Sequence, residues 1–405
     1  MLPLRTFHPP LLRKGTFRHV DARRLRVRAS TVRDVFMTVV ASALHRRSIA
    51  LASGVTPAGW RQHRRRLEQM VPHRESAVPS RRRPLTAPDC EDATAEEVRA
   101  LADFISRSER LLVITGAGVS TESSVPDYRS PRGSYSVGFK PMTHQDFLRA
   151  DENRRRYWAR SFVGWKRFAE RTRPNPAHDA LAALQREGHV WRLITQNVDR
   201  LHHAAGSEDV LELHGTTHEV ICLACGVVSP RRRMQKILER LNPDLIDAAE
   251  ALAGAPIRVP ADESDEADGS DDSVRFRAAQ RPDGDAEIDA RRAATFEVPP
   301  CASCGGGPLK PRVVFFGDGV PAPVVAEATA ASEGADAVLV VGSSVSTFSA
   351  FRLVRDAAAR GAPVAVLTAG ETRVDPLATL KVERLAGETL PRVLEAVRRE
   401  QMWGY

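Results

Sequence analysis

The sequence predicts an α/β fold built on a doubly wound, parallel, Rossmann-like sheet. From about residue 94 onward, short apolar runs alternate with segments whose apolar residues recur at helical spacing. The apolar runs at 336–342 and 362–370 are far shorter than the ~20 residues that a membrane span needs, so we expect buried strands and no membrane association. Strands that are apolar on both faces and alternate with helices are typical of parallel sheets.

The predicted strands and helices alternate in this way along the chain. Residues 94–108 predict a helix capped by Thr94, and they lead into a strand at 110–115. Residues 188–206 repeat the order of strand, polar turn and helix, with Gly206 as the helix stop. The C-terminal part, 335–400, contains two more strands and two more helices in alternation.

The charge distribution separates an N-terminal extension from the rest of the chain. The net charge is +8, but the first 90 residues carry 19 Lys and Arg against 5 Asp and Glu, so the remainder is net acidic. We therefore expect no specific nucleic-acid binding. Residues 1–92 are predicted to be an Arg-rich, disordered extension, which could be an organellar transit peptide, a flexible arm or translated sequence upstream of the true start.

Four of the five cysteines form two Cys-x-x-Cys pairs, Cys222 with Cys225 and Cys301 with Cys304. A two-residue spacer allows a tight turn to direct both sulfurs at one tetrahedral ion, so the pairs predict one structural zinc. A disulfide framework would fit a short secreted domain better, and two unrelated reduced pairs are the remaining alternative.

The zinc module, placed at 220–305, must carry an insertion because 75 residues separate the two cysteine pairs. Compact zinc ribbons need only about 15–20 residues there. The stretches at 261–273 and 281–289 are acidic and poor in apolar residues, which predicts an exposed, mobile loop. The flanking segments, 93–219 and 306–405, are predicted to form the Rossmann-like part.

Polar loops follow the predicted strands, where ligands bind in open parallel sheets. Gly116 and Gly118 would let backbone amides approach phosphates, although a lone Gly-Ala-Gly is a weak signal. A second polar loop opens with Gln196 and Asn197. His214 follows an apolar stretch, where it could act as a general base or be merely structural.

Six separated motifs together resemble the sirtuin family of NAD-dependent protein deacylases. They are GAGVSTESSVPDYRS, TQNVDRLH, ELHG, the paired Cys-x-x-Cys, LKPRVVFFGD and VVGSSVSTFSA, in this order. The resemblance covers residues 94–400, and RRRYWARSFVGW and PNPAHDAL are most similar to class II sirtuins, the branch of the mitochondrial sirtuin four and many bacterial relatives.

The resemblance implies that NAD is a consumed co-substrate. The nicotinamide–ribose bond breaks, the acyl oxygen attacks the anomeric carbon, and the products are nicotinamide, O-acyl-ADP-ribose and free lysine. It implies that His214 is the general base, that Asn197 acts in the nicotinamide pocket and that zinc is only structural. The residues implied around NAD are Gly116, Ala117, Gly118, Ser120, Thr121, Pro126, Asp127, Tyr128, Arg129, Gln196, Asn197, Val198, Asp199, Gly342, Ser343, Ser344, Thr368, Ala369, Gly370 and Ala386.

Two positions depart from the family pattern, and one pair bears on the acyl group. Ser124 stands where many sirtuins have glycine, and Thr368 stands where an asparagine is usual.

Tyr157 and Arg160 lie on one helical face, and they resemble the acid-recognising pair of desuccinylating sirtuins. Arg160 would then favour a carboxylated acyl chain; the alternative is that Tyr157 packs and Arg160 is solvated.

Several functional alternatives stay open at this stage. The same NAD site could support protein mono-ADP-ribosyl transfer or lipoamidase activity, and a zinc-containing interaction module is the non-enzymatic alternative. We expect acyl-lysine proteins as substrates and a monomeric protein in the bacterial cytoplasm. An organelle matrix is the alternative if the extension is a transit peptide.

Overall fold

The computed structural model describes Pro84 and residues 86–131, 133–136, 138–255, 281–286 and 288–403. The predicted disorder of residues 1–92 concerns mainly residues outside these ranges. Residues 86–92 lie within them and contact the folded unit: Thr86 donates a hydrogen bond to the carbonyl of Thr121, and the Cys90 thiol donates to the carbonyl of Glu383. Contacts with the folded unit therefore begin upstream of the boundary predicted at residue 92.

Six parallel strands form the large sheet in the order β3-β2-β1-β7-β8-β9. The strands are β1 (Leu111–Thr115), β2 (Arg192–Thr195), β3 (Val210–Glu212), β7 (Ala337–Val341), β8 (Val364–Leu367) and β9 (Leu380–Val382). This order reverses direction between β1 and β7, as in a doubly wound sheet, where ligands bind at the reversal. The predicted fold class is confirmed.

Helices cover both faces of this sheet because its strands are apolar on both sides. Leu111 and Val113 pack with one layer of helices, and Leu112 and Ile114 pack with the other. The first layer contains α1 (Ala95–Ser106), α4 (Pro176–Arg186) and α11 (Ala386–Trp403), and the second contains α9 (Ala322–Gly334) and α10 (Phe348–Ala359). A capping box between Thr94 and Glu97 begins α1, as the sequence predicted.

A smaller antiparallel sheet, in the order β5-β4-β6, extends on both sides beyond the bounds 220–305 that the sequence predicted for the zinc module. Its strands are β4 (Gly215–Cys222), β5 (Val228–Pro230) and β6 (Leu309–Val313). The remaining helices are α2 (His144–Arg149), α3 (Asp151–Trp165), α5 (Leu201–Ala204), α6 (Arg231–Leu241), α7 (Ile246–Gly254) and α8 (Ala290–Ala294). Aromatic side chains of α3, including Trp158 and Phe162, share a hydrophobic cluster with α6 and α7.

The acidic insertion is only partly described, and the predicted exposure is wrong for most of residues 281–286, although Asp289 is exposed. The stretch 261–273 lies outside the described residues. The stretch 281–286 packs against α3, with Asp285 and Ala286 fully buried. An acidic composition predicted exposure, but Arg160 supplies a buried counter-charge for Asp285. Within the described residues, no helix is long and apolar enough to cross a membrane.

Candidate active site

A cleft of about 850 Å³ opens at the carboxyl ends of β1 and β7, where the strand order reverses. Its floor contains the loops that follow β1, β2, β7 and β8. Of the residues predicted around NAD, those that line the cleft are Gly116, Ala117, Gly118, Asp127, Tyr128, Arg129, Gln196, Asn197, Val198, Gly342, Ser343, Ser344, Thr368, Ala369 and Gly370. The cleft also contains His214, Tyr157 and Arg160.

The other predicted residues lie behind this lining or away from it. Ser120 and Thr121 are fully buried, and Asp199 is 7% exposed. Pro126 is half-buried beside the cofactor loop. Ala386 packs in the core at the start of α11 and does not line the cleft. Its apolar contacts there account for its burial.

The loops after β1 and β7 pack against each other without intervening side chains. The amide of Gly118 donates to the carbonyl of Gly342 at 2.8 Å. Gly342 has a φ of +56°, and a Cβ there would lie 2.2 Å from the backbone nitrogen of Val119. Only glycine fits this crossing, so the backbone amides of both loops remain close to any ligand in the cleft.

Gln196 ties three strand ends together at the cleft floor. Its amide nitrogen donates to the Ser343 hydroxyl at 2.7 Å and to the carbonyl of Thr115 at 3.1 Å. Its amide oxygen accepts from Thr347 at 3.1 Å. These bonds fix the relative positions of the loops that would hold the two halves of a dinucleotide.

Asn197 and Asp199 form a buried polar network with Ser120. The Asn197 amide donates to the carbonyl of Gly116 and to the Ser120 hydroxyl, each at 3.1 Å. Ser120 in turn donates to a carboxylate oxygen of Asp199 at 2.8 Å. Burial raises the pKa of Asp199. Asp199 therefore orients Asn197 through Ser120 rather than lining the cleft itself.

His214 lies between β3 and β4, at the junction of the two sheets. Its Nδ1 is 3.1 Å from the carbonyl oxygen of Gln196, and its Nε2 is 2.8 Å from the hydroxyl of Ser349. A carbonyl only accepts hydrogen bonds, so in the neutral ring the proton is on Nδ1. The lone pair of Nε2 is then directed toward the cleft and accepts the Ser349 hydroxyl.

The protonation state of His214 suits a general base. Burial lowers its pKa below the ordinary value, and the carbonyl of Gln196 only partly opposes this. The ring is therefore neutral at physiological pH. A neutral imidazole whose unprotonated Nε2 is directed at the cleft can accept a proton from a substrate hydroxyl that replaces Ser349.

Sequence reasoning missed Ser349, Thr347 and Asp283 as members of the site. Ser349 and Thr347 belong to the motif VVGSSVSTFSA, and their polarity at the start of α10 was a usable signal. Asp283 lines the cleft from the insertion. Its position could not be read from the sequence, since its neighbours in the site are far away along the chain.

Ser124 lies in the left-handed region of backbone space, with φ 68° and ψ 23°. It ends the 3-10 turn Ala117–Ser123, at the point where many sirtuins have glycine. A side chain at such a φ is strained by roughly 1–2 kcal/mol. The departure noted in the sequence is thus a non-glycine residue in a glycine conformation.

Replacing Ser124 with glycine is expected to stabilise the protein. The strain that glycine relieves is larger than the entropic cost of ordering glycine on folding. The free energy of unfolding should therefore rise by about 0.5–1 kcal/mol. Thermal unfolding of Ser124→Gly and Ser124→Ala measures it, because alanine keeps the strain. A midpoint that rises equally in both variants, or in neither, contradicts the explanation.

The four cysteines predicted to bind zinc come together as one cluster. Their sulfur atoms all lie within 4.8 Å of one another, and the pairs Cys222–Cys304 and Cys225–Cys301 are 3.7 and 3.8 Å apart. A tetrahedral ion with Zn–S bonds of about 2.3 Å needs sulfur–sulfur edges of about 3.8 Å. These separations fit zinc and exclude disulfides, whose S–S bond is about 2.05 Å.

The cluster is suited to a closed, structural metal site. It connects the end of β4 with the segment before β6, and none of the cysteines lines the cleft. Backbone amides of Gly306 and Gly307 lower the pKa of Cys304 to about 6, whereas desolvation and hydrogen bonds with the neighbouring cysteines raise the pKa of Cys225 to about 11. A cation among the four sulfurs would favour the thiolate form of all of them. Four thiolates leave no open coordination position for chemistry.

Comparison with known proteins identifies the family to which this chain belongs. The model of the Sir2 family matches residues 116–349, a segment that contains the glycine loops, His214 and all four clustered cysteines. This chain belongs to the Sir2 family. The resemblance inferred from the separated motifs is confirmed.

Relatives of this Sir2 protein include plant, bacterial and animal enzymes. The NAD-dependent protein deacylase SRT2 of Arabidopsis thaliana is 48% identical over 76% of this chain and 79% of the relative. An NAD-dependent protein deacetylase of Xanthomonas axonopodis is 45% identical over 73% and 90%. The mitochondrial NAD-dependent protein lipoamidase sirtuin-4 of Bos taurus is 43% identical over 74% and 86%.

Solved structures agree with the family. A structure concerning the mechanism and regulation of Sir2 enzymes has a TM-score of 0.55 and 28% identity, covering 76% of this chain and 99% of that one. A Sir2 homologue mutant in complex with ADP-ribose has a TM-score of 0.54 and 26% identity, covering 76% and 98%.

Proposed function

We propose that this sirtuin is an NAD-dependent protein-lysine deacylase that yields nicotinamide, O-acyl-ADP-ribose and free lysine. The observation that carries the proposal is the position of His214, a neutral histidine whose Nε2 faces the cleft at the switch point of the sheet. The names of the relatives, which include deacylases, deacetylases and a lipoamidase, support the same reaction class.

Different residues of the cleft have different roles in the proposed reaction. The glycine loops after β1 and β7 bring backbone amides to the pyrophosphate, and Gln196 fixes their spacing. Asn197, held by Ser120 and Gly116, orients the nicotinamide end. His214 accepts the proton of a ribose hydroxyl through Nε2 and passes no proton to Gln196, whose carbonyl only keeps the ring oriented.

Lipoamide removal is a second candidate because a relative named for that activity is 43% identical to this chain. Protein mono-ADP-ribosyl transfer remains the alternative outcome of nicotinamide cleavage. Purified protein, NAD and peptides carrying acetyl, lipoyl, succinyl or glutaryl lysine distinguish these reactions by mass spectrometry. We expect nicotinamide release only with an acyl-lysine peptide. Label from NAD that ends on protein would instead indicate transfer.

We expect the hydroxyl of Ser349 to determine the pH at which kcat/KM falls on the acid side of its pH profile, the acid limb. Its hydroxyl donates to the base nitrogen and stabilises neutral His214, so Ser349→Ala should raise the pKa of His214 in the free enzyme. Because kcat/KM reports the free enzyme and activity needs neutral His214, the limb should move to higher pH, by up to about one pH unit. Ser349→Thr keeps the hydroxyl and should keep the wild-type limb. An unchanged limb in Ser349→Ala contradicts this role.

We further propose acyl-lysine proteins as substrates, a monomeric state and action in the bacterial cytoplasm. The three relatives named above do not distinguish cytoplasm from organelle matrix, since one of them is mitochondrial. Mapping the N-terminus of the protein isolated from its source decides between the two, because a processed transit peptide leaves a shortened chain.

A further inference from the structure

Tyr157 and Arg160 form one wall of the cleft, on helix α3. Both side chains are nearly buried, at 4% and 7% exposure, so Arg160 is not solvated. The guanidinium Nη2 of Arg160 lies 3.0 Å from a carboxylate oxygen of Asp285, and Asp285 is fully buried. The arginine that would recognise a carboxylated acyl chain is therefore already paired inside the protein.

Segment 281–286 of the insertion packs closely against α3, and this packing fixes the position of Asp285. The amide of Ala286 donates to the carbonyl of Arg160 at 3.2 Å. The carbonyl of Gly284 lies so close to Gly164 that a Cβ on Gly164 would be 1.9 Å from it. Gly284 itself has a φ of +82° and packs against Phe168. This close fit places Asp285 beside Arg160 by backbone contacts, independently of their charges.

The charges around Arg160 oppose binding of a second carboxylate. Asp283, on the same segment, lines the cleft. Burial and the nearby Asp283 raise the pKa of Asp285 to about 7, while Arg160 and Arg281 oppose this. Arg231, another buried cation, lies against the rings of Trp158 and Trp165, and neither Arg231 nor the buried Arg167 lines the cleft. Above about pH 7, where Asp285 is ionised, the α3 wall thus offers an incoming carboxylate no cation without a counter-charge.

We propose that Asp285 is a specificity-determining residue, which neutralises Arg160 and so directs the enzyme to uncharged acyl chains rather than dicarboxylic ones. The inference rests on the proposed deacylase function. It follows from the pairing distance, from the burial of both partners and from the docked segment that holds them. A free Arg160 would form a charge-assisted hydrogen bond with a succinyl carboxylate, and Asp285 takes the place of that carboxylate.

The test compares one peptide carrying either acetyl-lysine or succinyl-lysine, using full-length protein and NAD at a pH about one unit above the pKa of Asp285, where this carboxyl is ionised. For the wild type, we expect kcat/KM for the acetyl peptide to exceed that for the succinyl peptide by about tenfold or more. Asp285→Asn keeps the shape of the side chain but removes its charge. We expect it to raise the succinyl-to-acetyl ratio of kcat/KM by about tenfold or more, because Arg160 becomes available. The ratio cancels any general loss of activity.

Two controls assign the effect to the Arg160–Asp285 pair. Asp289→Asn, at an exposed position of the same insertion, should leave the ratio unchanged. The double variant Asp285→Asn with Arg160→Gln should lose the gain in succinyl activity. A wild type that removes succinyl as efficiently as acetyl overturns the proposal, and so does a folded Asp285→Asn with an unchanged ratio. A wild type inactive on every acyl peptide would instead overturn the proposed deacylase function.

Discussion

Replacing His214 with alanine is expected to lower kcat/KM for an acyl-lysine peptide by about 10²–10⁴-fold. The estimate follows from the usual contribution of a positioned general base. His214 is the histidine whose Nε2 faces the cleft, and its partners Gln196 and Ser349 hold the ring in place. Affinity for NAD, measured by calorimetry, should change little, since in the proposed site the glycine loops would supply the phosphate contacts and His214 none of them.

A matched control separates chemistry from folding. His203 is exposed on helix α5, so His203→Ala should keep wild-type activity. The midpoint of thermal unfolding of His214→Ala should stay close to that of the wild type, because His214 is half-buried and lines the open cleft. Retention of more than about a tenth of the activity by a folded His214→Ala would remove His214 from the role of general base.

Loss of the zinc cluster is expected to have the largest effect on stability. Structural zinc contributes about 10–16 kcal/mol of binding free energy in zinc-finger peptides, and this energy is coupled to folding. Cys301→Ala removes a buried ligand of the four-sulfur cluster. We expect the bound zinc to fall from one ion per chain to well below one, and the thermal midpoint to fall sharply. Metal analysis and calorimetry measure both.

Cys90 provides the control for this experiment. Its thiol bonds to the carbonyl of Glu383 and lies outside the four-cysteine cluster, so Cys90→Ala should retain one zinc per chain. A strong chelator should destabilise the wild type and Cys90→Ala alike. A Cys301→Ala protein that keeps one zinc and the wild-type midpoint would show that the cluster is not a metal site.

The architecture was predictable because its signals are local. Strands such as Leu111–Thr115 are apolar on both faces, and the helices that follow carry caps such as Thr94. Polar loops at the strand ends predicted which residues meet in the cleft. The paired cysteines predicted the zinc cluster from spacing alone. Each of these features depends on a few adjacent residues, which a sequence displays directly.

The features that were missed depend on contacts between distant residues. Asp285 lies in an acidic, apolar-poor stretch, which normally indicates exposure. It is buried because its segment packs against α3, where Arg160, 125 residues away, supplies the counter-charge. The bond between Ser349 and His214 spans 135 residues. The left-handed backbone at Ser124 was visible only as an unusual residue in a family motif, since sequence does not report φ.

The products of the reaction test the central claim most directly. Full-length protein, NAD and an acetyl-lysine peptide should yield nicotinamide, deacetylated peptide and O-acetyl-ADP-ribose in equal amounts, as measured by mass spectrometry. No nicotinamide should form without the acylated peptide. Nicotinamide formed at the same rate with an unmodified peptide, or without O-acetyl-ADP-ribose, would contradict the assignment as a protein-lysine deacylase.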